Sequence, residues 1–229
     1  MSAAALETLD SPVVVEPSRP ATAAVVWLHG LGADGHDFEP VAAEIARGGL
    51  DDVRYVFPHA PVRPVTINGG MAMRAWYDIT GPELDRRADE EGVRESAGIA
   101  RALVDEQIAR GIAGERIVLA GFSQGGAIAL HAGLRFPFRV AGILALSTYL
   151  PAAKSLAAEA HSSNRDVPIF LAHGSQDPVV ALALSERSRA AMADLGYVVE
   201  VHTYPMPHSV CAEEVRDIAN WLQRVLAQG

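Results

Sequence analysis

At 229 residues, with 49% hydrophobic and 21% charged, the chain has the length and composition of one larger α/β domain, which excludes disordered, collagen-like and repeat classes. Its 19 basic and 28 acidic residues leave a net charge of −9, which argues against a surface that tracks nucleic-acid phosphates. The single Cys211 excludes an internal disulfide and a thiolate zinc site. With no basic leader and no apolar run near the roughly 18 residues that cross a bilayer, it makes the cytoplasm the expected compartment.

Residues 1–20 read as a polar tail with an edge strand at Val13, Val14 and Val15, and residues 21–229 as a single domain. Residues 23–29 read as a central strand followed at once by glycines, 37–47 as a helix closed by Gly48-Gly49, and 53–57 as a strand stopped by Pro58. Within a short flap near residues 58–80, residues 65–67 and 71–73 resemble a small hairpin, because Asn68-Gly69 favours tight primed turns. The apolar residues of this flap also suit a face between two copies of the chain, a homodimer. Residues 81–92 are charged and turn-rich and read as a solvated loop. Val93, Ala97, Ala100, Val104 and Ile108 then recur at helical spacing.

Residues 117–120 form a short β-type run, residues 127–136 read as a buried helix, and "GFSQGG" lies between them. Further strands are expected at 140–146, 167–172 and 198–204, alternating with helices near 152–160, 181–195 and 213–227. Near-continuous apolar strands alternating with helices imply a mostly parallel sheet covered on both faces, with functional loops at the carboxyl ends of the strands.

Strand, sharp turn, helix, with Ser123 at the apex, is the setting that turns G-x-S-x-G into a nucleophile elbow. Without that setting the same residues are a glycine-rich turn whose serine bonds its own backbone. A serine hydroxyl is nearly inert at neutral pH and needs a histidine base oriented by a carboxylate. "HGSQDPVV" places Asp177 after one strand, and "YPMPHSV" places His208 after the last, in the order serine, acid, histidine. Among the rivals, His173 also follows a strand but precedes Asp177, Asp194 lies in a helical stretch, and His131 and His202 lie inside regular elements. His29 suits loop shaping, His36 and His161 sit in polar stretches, and Cys211 has no elbow of its own.

An attacked carbonyl becomes an oxyanion that needs backbone N–H donors fixed beforehand. One expected donor is Gln124, directly after the serine. The other is Leu31, in "WLHGLGADGHDF", whose alternative reading as a phosphate-binding turn lacks a dinucleotide context.

Taken together, "WLHGLGADGHDF", "RPVTINGGM", "AWYDI", "AGFSQGGA", "ALSTYLP", "HGSQDPVV" and "YPMPHSV" resemble the phospholipase/carboxylesterase family, which includes the acyl-protein thioesterases; the nearest likeness is to its bacterial carboxylesterases. The resemblance spans about residues 22–226. It implies an α/β-hydrolase fold without a large cap domain and no cofactor. It implies hydrolysis of short- to medium-chain carboxylic esters, lysophospholipids or acyl thioesters through an acyl-enzyme. It assigns Ser123 as nucleophile, Asp177 as orienting acid, His208 as base, and Leu31 and Gln124 as oxyanion donors. It also places the flap beside the site, with Trp76 and Tyr149 either lining a pocket or packing in the core. Two positions depart from the family pattern: Pro207 stands where members have glycine before the histidine, and Tyr149 stands where animal thioesterases have tryptophan. A hydrolase of the same fold acting on lactones or other carbonyl compounds, and an acyl-ligand binding module without catalysis, are the competing readings.

Overall fold

The computed structural model describes residues 10–81 and 89–227. The first nine residues of the expected tail and residues 82–88 of the expected charged loop lie outside them. In chain order the elements are β1 (Val13–Val15), β2 (Ala23–Leu28), α1 (Glu39–Arg47), β3 (Val53–Phe57), β4 (Val62–Val65) and β5 (Met71–Arg74). They continue with α2 (Glu90–Ala109), β6 (Ile117–Phe122), α3 (Gln124–Gly133), β7 (Gly142–Leu146) and α4 (Ala153–Glu159). The last four are β8 (Ile169–Gly174), α5 (Leu182–Asp194), β9 (Val199–Tyr204) and α6 (Ala212–Leu226).

Seven strands form one sheet in the order β1-β3-β2-β6-β7-β8-β9. Only the edge pair β1–β3 is antiparallel. The unbroken apolar runs are buried on both sides, and alternate residues feed two cores. Ala24, Val26 and Leu28 pack with α2 and α3 on one face; Ala23, Val25 and Trp27 pack with α1 and α6 on the other. Burying each large apolar side chain contributes about 1.5–3 kcal/mol, against about 0.5–1 kcal/mol lost for a glycine in regular structure. The sheet can therefore carry glycines at its working edge.

From β2 the chain steps outward to β3, then crosses to β6 on the other side of β2. The strand order reverses at that point, and the carboxyl ends of the strands beside such a reversal are where open α/β sheets hold their ligands.

Three expectations shift in register. The first flap strand is β4, three residues upstream of residues 65–67, because the Asp78 carboxylate accepts the Thr66 N–H (2.7 Å) and hydroxyl (2.6 Å) and ends the ladder at Val65. A 3₁₀ turn over Thr66–Asn68, then Gly69 and Gly70 at φ +69° and +78°, closes the hairpin in place of a two-residue turn. In α2 the expected stripe drifts. Four steps from Val93 to Ile108 leave Ile108 about 60° round the helix, so it is 37% exposed while Ile99, Leu103 and Gln107 face inward. Helix α3 begins at Gln124 rather than near residue 127, directly after the serine.

Candidate active site

Strand β6 delivers Ser123 at the point of strand reversal. Its backbone has φ +54° and ψ −119°, a region that costs an L-residue about 1–3 kcal/mol. Surrounding structure holds it there. The Ser123 N–H donates to Leu146 O (2.8 Å), and Ser123 O accepts the Thr148 hydroxyl (2.6 Å) and the Ala127 N–H (3.1 Å). The neighbouring glycines leave room for that fit. A Cβ on Gly125 would collide with the Leu28 carbonyl, and one on Gly126 would meet Thr148 Cγ2 at 2.8 Å. The strained angle thus falls on the serine, and the glycines allow α3 to lie against β2 and the loop after β7.

Two loops from the far strands converge on this serine. His208, after β9, places Nε2 2.9 Å from Ser123 Oγ and Nδ1 2.6 Å from Asp177 Oδ2. Asp177, after β8, has a fully buried carboxyl whose other oxygen accepts the N–H groups of Val179 (2.8 Å) and Val180 (2.9 Å). The loops abut because Gly174 has no Cβ to strike the Met206 and Pro207 carbonyls, and Gln176 N–H bonds Met206 O (3.1 Å). Pro207 supplies no N–H, but its carbonyl accepts the Ser209 N–H (2.9 Å), and the ring after it reaches both partners. The Phe122 ring lies 4.7 Å from the imidazole, centroid to centroid.

The loop after β2 lies over the serine: a Cβ on Gly30 would sit 3.5 Å from Ser123 Cβ. Leu31 follows in that loop, and Gln124 is the first residue of α3, where backbone N–H groups lack intrahelical partners. His29 shapes the loop as a neutral ring. Burial lowers its pKa to about 4; Nε2 accepts the Ala60 N–H (3.0 Å), so Nδ1 carries the proton to Gly30 O (2.7 Å).

The other histidines are placed for structure. His173 is buried, its pKa lowered by that burial, and its Nε2 contacts Val180 O (2.8 Å), supporting the acid loop. His131 packs inside α3, where burial lowers its pKa to about 4. His202 stacks on Phe170. His59, not weighed from the sequence, accepts the Gly35 N–H (3.1 Å).

Trp76 and Tyr149 separate. Trp76 is fully buried, with its indole N–H on His29 O (2.9 Å), so it packs in the core and offers a substrate no surface; its apolar run gave no hint of that bond. Tyr149 forms part of the wall of a cavity of about 710 Å³, with Leu150, Lys154, Leu184 and Ser188. Its hydroxyl meets that of Tyr77 at 2.9 Å, and its ring packs with Val180 and Leu184. Sequence reasoning missed Thr148 and Tyr77, whose hydroxyls point inward from ordinary-looking apolar stretches.

The pattern defining the phospholipase/carboxylesterase family matches residues 9–226. Acyl-protein thioesterase 1 of Neurospora crassa is 40% identical over 220 residues, covering 92% of this chain and 90% of that protein. The crystal structure of Arabidopsis thaliana SOBER1 superposes with a TM-score of 0.85 at 31% identity, covering 89% of this chain and 99% of that one. Zea mays acyl-protein thioesterase 2 gives 0.85 at 29% identity, covering 94% and 98%.

Proposed function

The chain belongs to the phospholipase/carboxylesterase family and is a serine hydrolase of acyl esters or thioesters, and from that premise we propose that Ser123, His208 and Asp177 carry the reaction. The observation that supports this reading is the unbroken line of two hydrogen bonds from Ser123 Oγ through His208 to Asp177.

Ser123 Oγ attacks the acyl carbonyl as its proton passes to His208 Nε2, and Asp177 holds the ring's tautomer and the charge it gains. The carbonyl electrons move onto oxygen, which the N–H groups of Leu31 and Gln124 receive; one such donor is worth about 2.7–4 kcal/mol in the transition state. The tetrahedral intermediate collapses, and the leaving alcohol or thiol takes the proton from Nε2. Water then attacks the acyl-enzyme with His208 again as base, releasing the acid and restoring the serine.

Short- to medium-chain acyl groups are the proposed substrates, with Tyr149 proposed to meet them from the wall of a cavity that Ser123 and His208 do not line. Relatives named acyl-protein thioesterase support thioesters beside oxygen esters. The exposed Val62, Ile67 and Met71 on the hairpin support a homodimer through that face, which light scattering tests. No helix among the described residues is long and apolar enough to cross a membrane; with a single cysteine, that suits a cytoplasmic setting.

Rapid mixing with an activated short ester should give a burst of alcohol release, and a fluorophosphonate should label Ser123. Both should vanish in Ser123→Ala. An unlabelled wild-type protein would overturn the reading in favour of a ligand-binding module. A panel of acyl lengths as oxygen and thiol esters then fixes the preference.

A further inference from the structure

The two proposed oxyanion donors come from segments 93 positions apart in sequence, Leu31 and Gln124 (124 minus 31), yet one short segment bonds to both. The exit of β5 accepts the Gly32 N–H on Arg74 O (2.9 Å) and sends the Trp76 indole N–H to His29 O (2.9 Å), flanking Leu31 on both sides. Two residues of the same segment grip the other donor's own side chain: Trp76 N–H donates to Gln124 Oε1 (2.8 Å), and Gln124 Nε2 donates to Tyr77 O (2.7 Å). The Ser96 hydroxyl from α2 holds Trp76 O. Apart from the Gly32–Arg74 bond, which is nearer the surface, these residues are buried; Gln124 and Ser96 are polar side chains in the core whose bonds run to this segment.

We propose that the Gln124 side chain is a positioning residue: its two bonds to Trp76 and Tyr77 make the β5 exit a brace that fixes the two oxyanion N–H groups relative to each other. The proposal rests on the reading of Leu31 and Gln124 as donors. The physical need is clear, because donors serve an oxyanion only near 2.7–3.1 Å, and small displacements forfeit most of the gain. Serine elbows fix the second donor through the helix, but the first sits in a loop with no covalent tie to it. The brace supplies that tie. Its end, the Tyr77 hydroxyl on Tyr149, reaches the wall of the 710 Å³ cavity, so the donors and that wall share one rigid strut.

The test compares Gln124→Met, which removes both bonds, with Gln124→Glu, whose carboxylate accepts from Trp76 but repels the Tyr77 carbonyl. Both keep the backbone N–H. On an activated ester the expected result for Gln124→Met is a ten- to hundredfold fall in kcat, KM within twofold, and a matching loss of affinity for a trifluoromethyl ketone. Gln124→Glu should regain activity relative to wild type as pH falls and its carboxyl becomes a donor again, while Gln124→Met stays low throughout. A merely structural role would give no such pH-dependent rescue.

Unchanged kcat in both folded variants, or a loss confined to KM, overturns the brace. If neither variant folds, Trp76→Phe, which deletes the indole bond to His29 O and shortens the buried ring but keeps the Trp76 backbone N–H for Gln124, should lower kcat five- to tenfold at constant KM; wild-type kcat there also overturns it. Fluorophosphonate labelling of wild-type Ser123 separates the outcomes: labelling with an unaffected kcat in the variants sinks the brace alone, and absent labelling sinks the catalytic reading beneath it.

Discussion

The serine elbow and the β4–β5 hairpin both contact the loop after β2 and are built by opposite rules. At the elbow every neighbour of Ser123 is fixed: Gly125 and Gly126 touch β2 and Thr148, and an unfavourable φ is held by bonds to β7 and from Thr148. The hairpin is a two-stranded sheet of its own, with Val62 and Met71 each 64% exposed and nothing within 4 Å of a Cβ on Gly69 or Gly70. The proposed chemistry sits where surrounding structure over-determines the backbone, and the exposed apolar hairpin sits where it does not.

The largest expected effect tests the elbow's strain. Ser123→Ala and Ser123→Gly should each lower kcat/KM about 10⁴-fold or more, but the glycine variant should melt higher, by about 1 kcal/mol or more of relieved strain in calorimetry. A glycine variant no more stable than the alanine one would break the argument that the serine is held against its preference.

Next, Gly125→Ala should cost about 3 kcal/mol or more in denaturant unfolding, since its Cβ meets backbone that cannot yield. Gly70→Ala should cost only about 1–2 kcal/mol, the penalty of its positive φ in open space. Equal costs would erase the contrast.

His29 joins the two regions, since its ring holds Gly30 O on one side and the Ala60 N–H, at the root of the hairpin, on the other. Its folded pKa, about 4, lies below the ordinary 6.5. The unfolded chain therefore takes up the proton first; stability from this group is complete above 6.5 and declines as pH falls towards 4, by about 3 kcal/mol in all. His29→Asn should flatten that part of the stability profile, and an unchanged slope would assign it to other groups such as His131.

The smallest effect on stability, within about 0.5 kcal/mol, is expected for Met71→Ser at the exposed hairpin. A change in acyl-length preference without a change in melting would sharpen the division between the two regions.

The same division governed what the amino-acid sequence revealed. The elbow, the acid loop and the histidine loop were legible because strand, glycine and polar residue follow one another within a few positions. The hairpin's register was not, because no buried face selects it and the deciding contact, Asp78 on Thr66, bridges twelve positions. Trp76 read as a pocket candidate for a related reason: a tryptophan in a short apolar run gives no sign of where its indole N–H will bond. Ile108 was misplaced by arithmetic, through steps averaging more than the helical repeat.

The proposed base, His208, follows the last strand of the sheet, whose outer margin no other strand among the described residues covers and where Val201 and Thr203 lie exposed. Fraying begins at such margins. Heating should therefore disconnect the His208 imidazole while the centre of the sheet, with the proposed nucleophile Ser123, is still intact. Catalytic output should then act as an early warning of damage, failing several degrees before any spectroscopic sign of melting and returning on cooling.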